Sequence, residues 1–466
     1  MYFLITHVIL LLMLFVWTLY YSPFQIAYSE SPIVREEGKY EITKIASNLD
    51  SPSGMEIIDN DVLIIERNNG KIMLVRDFDM KKYPIDRVDS FSSERDNGLM
   101  GISSIKENNL VYLFLYFSEK SDQENPFVDA GLSNRVYRYI WNSSGLELTN
   151  KTLLLDIPIT PSSPNSGGRM ALGPDNQLYI TVGDMGKNGP EQNIFENNNT
   201  SYGISGNEDK SSAIVRITIN GSISHNNPFD EKGFEWYFAY GIRNALGLAF
   251  DPIGKNLWDI EQGSNKIDEI NLVKSGFNSG WKKIQGYSNR TCCSSEHALN
   301  QDIHQLNRIK NSYYDDPQMV SSNGENLTGI VFMNNSTSGS NYDDVLYVGD
   351  MKGNIYKLHL DEKRERIIST NNLSNNIFAS GFGPISDLKV DQNGILYVLT
   401  YSNGTDFSND EKTGALYGIS LKNKMNYLSQ EEIINYDHLG IIWTFIIIGT
   451  LLMAAQYKRL IRYIRK

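Results

Sequence analysis

Short apolar runs broken by Asp, Asn and Gly turns recur along the middle of the chain. "PSGMEIIDNDVLIIERNNGKIMLVRD" from Pro52, "GLMGISSIKENNLVYLFLYFS" from Gly98 and "RMALGPDNQLYITVGD" from Arg169 share one layout. So do "LGLAFDPIGKNLWDIEQG" from Leu246, "TGIVFMNNSTSGSNYDDVLYVGDMKGNIYKLHL" from Thr328 and "ISDLKVDQNGILYVLTYSNG" from Ile385. Each opens on an apolar strand, turns, and returns as a strand of the "L-Y-V" type that ends in polar residues. Several continue through a Gly turn into an outer strand, as in "GKIMLVRD", "GNIYKLHL" and "GALYGISL". Runs of this length, rich in β-branched and aromatic residues and bounded by turn formers, read as strands. Six such units at intervals of roughly 45 to 85 residues predict an all-β chain, a six-bladed β-propeller. A pair of β-sandwiches is the alternative, and it does not explain the recurrent order of turn and "LYV" strand. The uneven spacing places long loops between units, where function concentrates.

Two segments depart from this pattern. "YFLITHVILLLMLFVWTLYY" (2–21) and "GIIWTFIIIGTLLMAAQ" (from Gly440) approach the ~20 apolar residues that cross a bilayer. The second runs into the basic tail "KRLIRYIRK", so the positive-inside rule puts the C-terminus in the cytoplasm and the preceding chain outside. The first has no Lys or Arg before Arg35. A cleaved signal peptide ending near Ala27 and an uncleaved anchor both stand, and the length of the apolar run favours the anchor. The expected organisation is therefore a signal or anchor at 2–21, a linker at 22–41 and a propeller over 42–421. A juxtamembrane linker at 422–439, a transmembrane helix at 440–457 and a cytoplasmic tail at 458–466 complete it. The expected location is the cell membrane, with the propeller extracytoplasmic.

Composition narrows the function classes. The chain has 466 residues, 41% hydrophobic and 21% charged, as an ordinary folded body has. Its net charge of −12 is more negative still without the basic tail, which argues against a nucleic-acid partner. Eleven Asn-X-Ser/Thr sequons lie between the two apolar segments, at Asn142, Asn150, Asn198, Asn199, Asn220, Asn289, Asn326, Asn334, Asn335, Asn372 and Asn403. They are compatible with a glycosylated outer surface. The only cysteines, Cys292 and Cys293, are adjacent, which excludes a disulfide framework and a Cys-based metal pattern. A vicinal disulfide, pairing with another chain and idle loop thiols all remain open for them.

The stretch "SPNSGGRMALGPDNQLYITVGD" (163–184) is a rigid frame of glycines, an arginine and a turn, with Asn165 and Ser166 before the glycines. It stands in order with "NGLMGIS", "AIVRITINGSISHNNPF", "YGIRNALGLAFDP", "IEQGSNKIDEINLVKSGFNSGW" and "ILYVLT". This ordered series, over about 42–421, resembles the pyrroloquinoline quinone (PQQ)-dependent soluble glucose dehydrogenases, also called glucose/sorbosone or aldose sugar dehydrogenases. The resemblance implies a six-bladed propeller that oxidises an aldose to its lactone by hydride transfer to PQQ. That chemistry needs a base for the sugar hydroxyl, cations for the tri-acid cofactor and a divalent ion at the quinone.

The resemblance also implies roles residue by residue. Arg243 and Asn244 of "GIRN" match residues that meet the quinone and the substrate. Lys352 of "GDMKGN" matches a lysine that approaches the cofactor. Gln262 belongs to the segment that holds cofactor and calcium, with the carbonyls of Gly263 and Ser264 as Ca2+ ligands and Asp268 and Glu269 continuing the metal motif. Several positions depart from the family pattern. The base position is Asn165, an amide that takes no proton near pH 7, and Pro164 replaces the neighbouring acid. The Arg-X-Arg clamp reads Pro384-Ile385-Ser386, Asp96 replaces a polar residue, and so does Met185. Losing two arginine–carboxylate pairs weakens cofactor binding by roughly 1.5–3 kcal/mol per charge-assisted bond.

Structural roles compete with these. Arg243 either meets the cofactor or braces the propeller, Lys352 suits a solvated turn, and "DEIN" suits a pinned blade turn. His225 reads as a turn residue, while His7 and His438 lie in or beside the apolar segments. Three functions follow: a membrane-tethered PQQ sugar dehydrogenase with an altered site; a non-catalytic propeller that binds a glycan, a peptide or an envelope protein; and a calcium-dependent hydrolase or lactonase with Asp96 and Asp184 as ligands.

Overall fold

The repeated units fold into six antiparallel sheets in a computed structural model. The described residues are 31–36, 38–76, 82–90, 97–120, 131–160, 163–194, 210–264, 266–288, 303–306, 309–321, 323–333, 345–369, 372–402 and 413–422. Blade 1 is Pro52–Ile58, Asp61–Glu66, Lys71–Arg76 and Lys82–Arg87; blade 2 is Leu99–Glu107, Leu110–Lys120, Leu132–Asn142 and Glu147–Ile159. Blade 3 is Met170–Leu172, Gln177–Val182, Ala213–Thr218 and Tyr237–Tyr240, with Phe277–Asn278 added in parallel. Blade 4 is Ala245–Phe250, Leu257–Gln262, Asp268–Val273 and Met319–Ser321. Blade 5 is Leu327–Phe332, Val345–Asp350, Ile355–His359 and Ile377–Ser380, and blade 6 is Ile385–Val390, Leu396–Thr400 and Gly414–Leu421.

The ring is closed by the N-terminal part of the chain. Tyr40–Leu49 is the outermost strand of blade 6, paired from Tyr40↔Leu421 to Leu49↔Gly414. Ile33–Val34, inside the segment expected to be a linker, adds an edge strand to blade 5 against Ile377–Ser380. The innermost strands of the six blades touch one another in cyclic order, blade 6 returning to blade 1. All six start at one face of the ring, called the upper face below.

The recurrent turn has a local cause. Between the first and second strands, Asp59, Asn109, Asn176, Lys255 and Gly394 take positive φ of 55°, 62°, 56°, 60° and 74°. Asp, Asn and Gly tolerate that conformation best. Asp side chains reinforce it: the Asp391 carboxylate accepts from the Asn393 and Ile395 amides at 2.9 and 2.8 Å. The "LYV" strands are second strands, and they are buried on both faces because a neighbouring blade covers each side; Val345–Asp350 and Leu396–Thr400 are buried throughout. A strand covered on both faces reads as a continuous apolar run, and an alternating pattern is not expected there.

Six hydrophobic clusters follow, one in each interface between adjacent blades. Buried Trp258 against Phe332 fills the gap between blades 4 and 5 (centroids 6.2 Å apart), and Arg364 of blade 5 is paired to Asp251 of blade 4 at 2.6 and 2.9 Å. Near the axis, hydroxyls stitch each blade to the inner strand of the next: Ser53 donates to the Leu99 carbonyl (2.6 Å), Thr181 to Ala245 (3.1 Å) and Thr328 to Ile385 (2.7 Å).

Met1–Lys422 forms one compact unit and Asn423–Lys466 a second, which lies wholly outside the described residues. The expected apolar segments at 2–21 and 440–457 lie outside them too, as do Cys292 and Cys293. Among the described residues no helix is long and apolar enough to cross a membrane; the helical turns there are short 3-10 segments such as Leu373–Asn376. Of the described sequons, Asn142, Asn150, Asn220 and Asn372 are exposed and Asn326 is half-buried.

Candidate functional site

The central channel is divided in two by one side chain. Arg169, at the start of blade 3, projects across the axis and donates to carbonyls of three other blades. These are Leu246 of blade 4 through Nε (2.7 Å), Ser53 of blade 1 through Nη1 (3.0 Å) and Ser386 of blade 6 through Nη2 (2.6 Å). Above it lies a cavity of ≈ 260 Å3, and below it one of ≈ 270 Å3; Arg169 lines both.

The upper cavity is walled by Met100, Leu246, Met351 and Ile385 and carries the polar groups of Arg67, Asn244, Gln262, Ser386 and Tyr401. Asn244 and Gln262 are the two expected cofactor residues that line it. Asn244 Nδ2 donates to Gln262 Oε1 at 3.5 Å, while Asn244 Oδ1 is buried without a hydrogen-bond partner among the described residues. A buried acceptor in that state costs about 1–3 kcal/mol, so the wall is built to receive a donor.

Arg243 stands behind this wall. Its Nη1 donates to the Gln262 carbonyl at 2.9 Å, and its guanidinium lies 5.5 Å from the centroid of the Trp281 ring. Its backbone N–H donates to Glu261 at 2.7 Å, and the other Glu261 oxygen accepts from the Ser279 hydroxyl at 2.6 Å. Burial pushes the Glu261 carboxyl up to about 7, against the opposing pull of Ser279 and Arg243.

Asn165, the family base position, is buried in a left-handed conformation (φ 55°). Its Nδ2 donates to Asp184 Oδ1 at 2.8 Å. The same Asp184 accepts from the Gly186 amide at 3.0 Å and from Trp281 Nε1 at 2.7 Å. A chain of contacts thus runs Asn165–Asp184–Trp281–Arg243–Gln262 into the cavity wall. No group in it but Asp184 is a proton acceptor, and Asp184 is already bound by three N–H donors. That occupation also argues against Asp184 as a metal ligand; Asp96, its expected companion, lies outside the described residues.

The metal motif divides. Gly263 is required by close approach: a Cβ there would meet the Ile267 carbonyl at 2.1 Å and the Gln285 amide at 2.6 Å. Ser264 Oγ donates to Gln285 at 2.7 Å, which fixes the backbone that presents the two carbonyls. Asp268 and Glu269 serve the frame. Asp268 accepts from the Leu327 amide at 3.0 Å and so joins blade 4 to blade 5, and Glu269 accepts from the Gly286 amide at 2.5 Å. Burial pushes Asp268 up to about 6 and raises Glu269 well above its usual range, with Glu261 and Asp259 adding to the latter. Among the described residues no group of three or more His, Cys, Asp or Glu is arranged to hold a metal ion, so calcium here would rest on carbonyl oxygens.

Lys352 sits on an exposed turn with Nζ 3.4 Å from the Asn323 carbonyl, and it is Met351 beside it that reaches the cavity. Pro384 is buried and its carbonyl accepts the Tyr401 amide at 2.7 Å; Ser386 donates to the Leu399 carbonyl at 3.3 Å. Among the described residues no cation of blade 6 lines the upper cavity in place of the clamp. His225 is exposed in a turn, as expected. Arg67, Arg169 and Trp281 escaped the sequence reading. Arg67 follows the "LIIE" strand and reaches the cavity because Gly98, at φ 117°, lets the blade 2 chain pass against it, with Arg67 Nε donating to the Asn97 carbonyl at 3.1 Å.

Comparison with known proteins agrees with the fold. Quinoprotein glucose dehydrogenase B of Acinetobacter calcoaceticus is 30% identical over 255 residues, 52% of this chain and 52% of that one, so the chain matches about half the length of that relative. An aldose sugar dehydrogenase of Escherichia coli is 24% identical over 278 residues, 59% of this chain and 64% of that protein. The PQQ-bound aldose sugar dehydrogenase of Streptomyces coelicolor superposes with a TM-score of 0.58 at 21% identity, over 84% of this chain and 100% of that one. The apo-form Escherichia coli enzyme gives 0.61 at 21% identity, over 82% and 99%. At these identities the superpositions establish the shared propeller fold. The model described as Glucose / Sorbosone dehydrogenase matches residues 49–408, and the chain belongs to that family.

Proposed function

We propose that the protein is a PQQ-dependent aldose sugar dehydrogenase, tethered at the cell membrane with its propeller outside, that turns over slowly because its proton acceptor has been replaced. The observation that carries cofactor binding is the buried, unpartnered Asn244 Oδ1 on the wall of the upper cavity. Gln262 beside it and Arg67 across the cavity add a neutral donor–acceptor pair and a cation. The carbonyls of Gly263 and Ser264 are oxygen donors of the type that calcium takes. Bound there, PQQ with Ca2+ supplies the hydride acceptor.

The chain's own residues do the rest. Met100, Leu246 and Met351 exclude water from the faces of the cavity, which strengthens every polar contact inside it. Arg243, held by Gln262 and Trp281, keeps a cation beside the wall. At the position where the family resemblance puts the base, Asn165 carries an amide tied to Asp184; general bases contribute on the order of 10²–10⁴ in rate, and that factor is what the replacement removes. The outside location is supported by the apolar segments and the basic tail, and protease protection of residues 458–466 in sealed vesicles checks it.

A second reading, a sugar- or glycan-binding propeller without turnover, is favoured by the same Asn165–Asp184 bond together with the lack of a clamp cation among the described residues of blade 6. Calorimetric titration of the full chain with PQQ and Ca2+, then an aldose with an acceptor dye, separates the two. Micromolar binding with slow, sugar-dependent dye reduction supports the dehydrogenase. Tight PQQ binding without reduction leaves the binding reading, and absence of PQQ binding at high micromolar cofactor removes the quinone from either.

A further inference from the structure

The lower cavity is used by nothing in the reading above. It lies on the other side of Arg169 and is two-sided in its chemistry. Blades 1, 2 and 6 give it Glu56, Ser104, Asp387 and Lys389, whereas blades 3, 4 and 5 give it Leu172, Phe250 and Val331. The polar half is ordered by its own bonds. Glu56 accepts from the Ser104 hydroxyl (2.7 Å) and amide (3.1 Å) and from Lys389 Nζ (3.1 Å). Asp387 accepts from the Met55 and Leu388 amides, both at 2.9 Å. Burial works against the charge on Lys389, but Glu56 and Asp387 overcome it and hold the ammonium above its ordinary range.

These bonds leave capacity on both sides of the exchange. An ammonium has three N–H donors and Lys389 spends one on Glu56; a carboxylate has about four acceptor sites and Asp387 spends two. Donors and acceptors standing side by side match hydroxyls, which do both. Glu56 and Asp387 on the wall are balanced by Lys389 and Arg169, so the lining carries no net charge that would favour an anion or a cation. The opposite wall, with the half-buried Phe250 ring held edge-on to Tyr179 (4.9 Å, 75°), suits a C–H face. At ≈ 270 Å3 the space is at the lower limit of small-molecule sites, roughly 300–1,000 Å3, which limits the occupant to a single ring.

The geometry points to a second saccharide site: the lower cavity binds a neutral monosaccharide, its hydroxyls on Lys389 and Asp387 and its C–H face on Phe250 and Leu172. The site is independent of PQQ and of oxidation in the upper cavity.

The test is calorimetry and saturation-transfer NMR of the full chain without PQQ. D-glucose is the neutral probe, with glucuronate and glucosamine as charged controls. Millimolar binding of glucose, weaker for both controls, is expected. Ala171 lines the cavity and packs against the Tyr179 cluster between blades 3 and 4, so Ala171→Leu narrows the space without removing a polar group and should raise the glucose dissociation constant at least about tenfold. Lys389→Met, which removes a charged hydrogen bond, should do the same. Asn244→Ala, in the upper cavity, should leave it unchanged. If Lys389→Met does not fold, Ala171→Leu still decides. No glucose binding, tighter binding of either charged sugar, or binding lost with Asn244→Ala but kept in Ala171→Leu would overturn the proposal.

Discussion

The two flanks of the upper cavity were built to different standards. On the side of blades 3 and 4, Asn165, Asp184, Trp281, Arg243, Glu261 and Gln262 form an unbroken series of hydrogen bonds and a cation–ring contact. On the side of blade 6, Ile385 and Ser386 offer the cavity an alkyl chain and a hydroxyl already given to Leu399. The difference separates two tasks that one site usually combines. The rigid flank fixes the cavity wall and keeps the ring in register; the plain flank, among the described residues, lacks the two cations that the family resemblance implies. A scaffold retains what it also needs for folding, and Asp184 is needed for both.

Breaking the rigid flank should have the largest effect. Asp184→Ala leaves the Asn165 amide, the Trp281 indole and the Gly186 N–H without their acceptor, and should cost about 3–5 kcal/mol of stability, read by denaturant unfolding. Restoring the plain flank is next. Pro384→Arg with Ser386→Arg should tighten PQQ at least about a hundredfold by calorimetry, if each cation makes one charge-assisted bond. Asn165→His alone should not raise the slow aldose oxidation in a dye-reduction assay, whereas the triple variant should raise it by on the order of 10²–10⁴; a single variant that gains as much shows the clamp to be dispensable.

The smallest effect is one of pH. The ordinary Glu261 carboxyl titrates at 4.5 and burial takes it to about 7 in the folded chain. Between those values the folded protein binds a proton that the unfolded chain has released. Its stabilising contribution is therefore complete below pH 4.5 and lost as pH rises to about 7. Glu261→Gln should flatten that part of the stability profile, measured by thermal unfolding in chelator.

Much of the fold was legible because it is written locally. Asn176 and Gly394 mark turns that need positive φ, and the "LYV" runs mark strands covered on both faces. The Ile33–Val34 strand was not legible, since two residues paired with a strand more than 340 positions later carry no periodicity. The site was half legible for the same reason. Asn244, Gln262 and Gly263 sit in a contiguous motif, but Arg67 enters the cavity only because Gly98 of another blade passes close to it. Arg169 stood in plain view in "GGRMAL", yet nothing in that stretch says that its partners are carbonyls of blades 1, 4 and 6. In the motif that the resemblance reads as metal-binding, one oxygen each of Asp268 and Glu269 accepts from a backbone amide of another segment, a contact that the motif itself does not announce.

The pairing of Tyr40 with Leu421, continued by the Lys422 amide on the Lys39 carbonyl, has a topological consequence. That end of blade 6 lies on the face away from the upper cavity, since Leu49 and Gly414, at the other end of the same pair, lie towards it. The ring therefore begins and ends at one point on its lower rim. A short splice between 422 and 39, with a new break in an exposed turn of another blade, should yield a circular permutant with the same six interfaces.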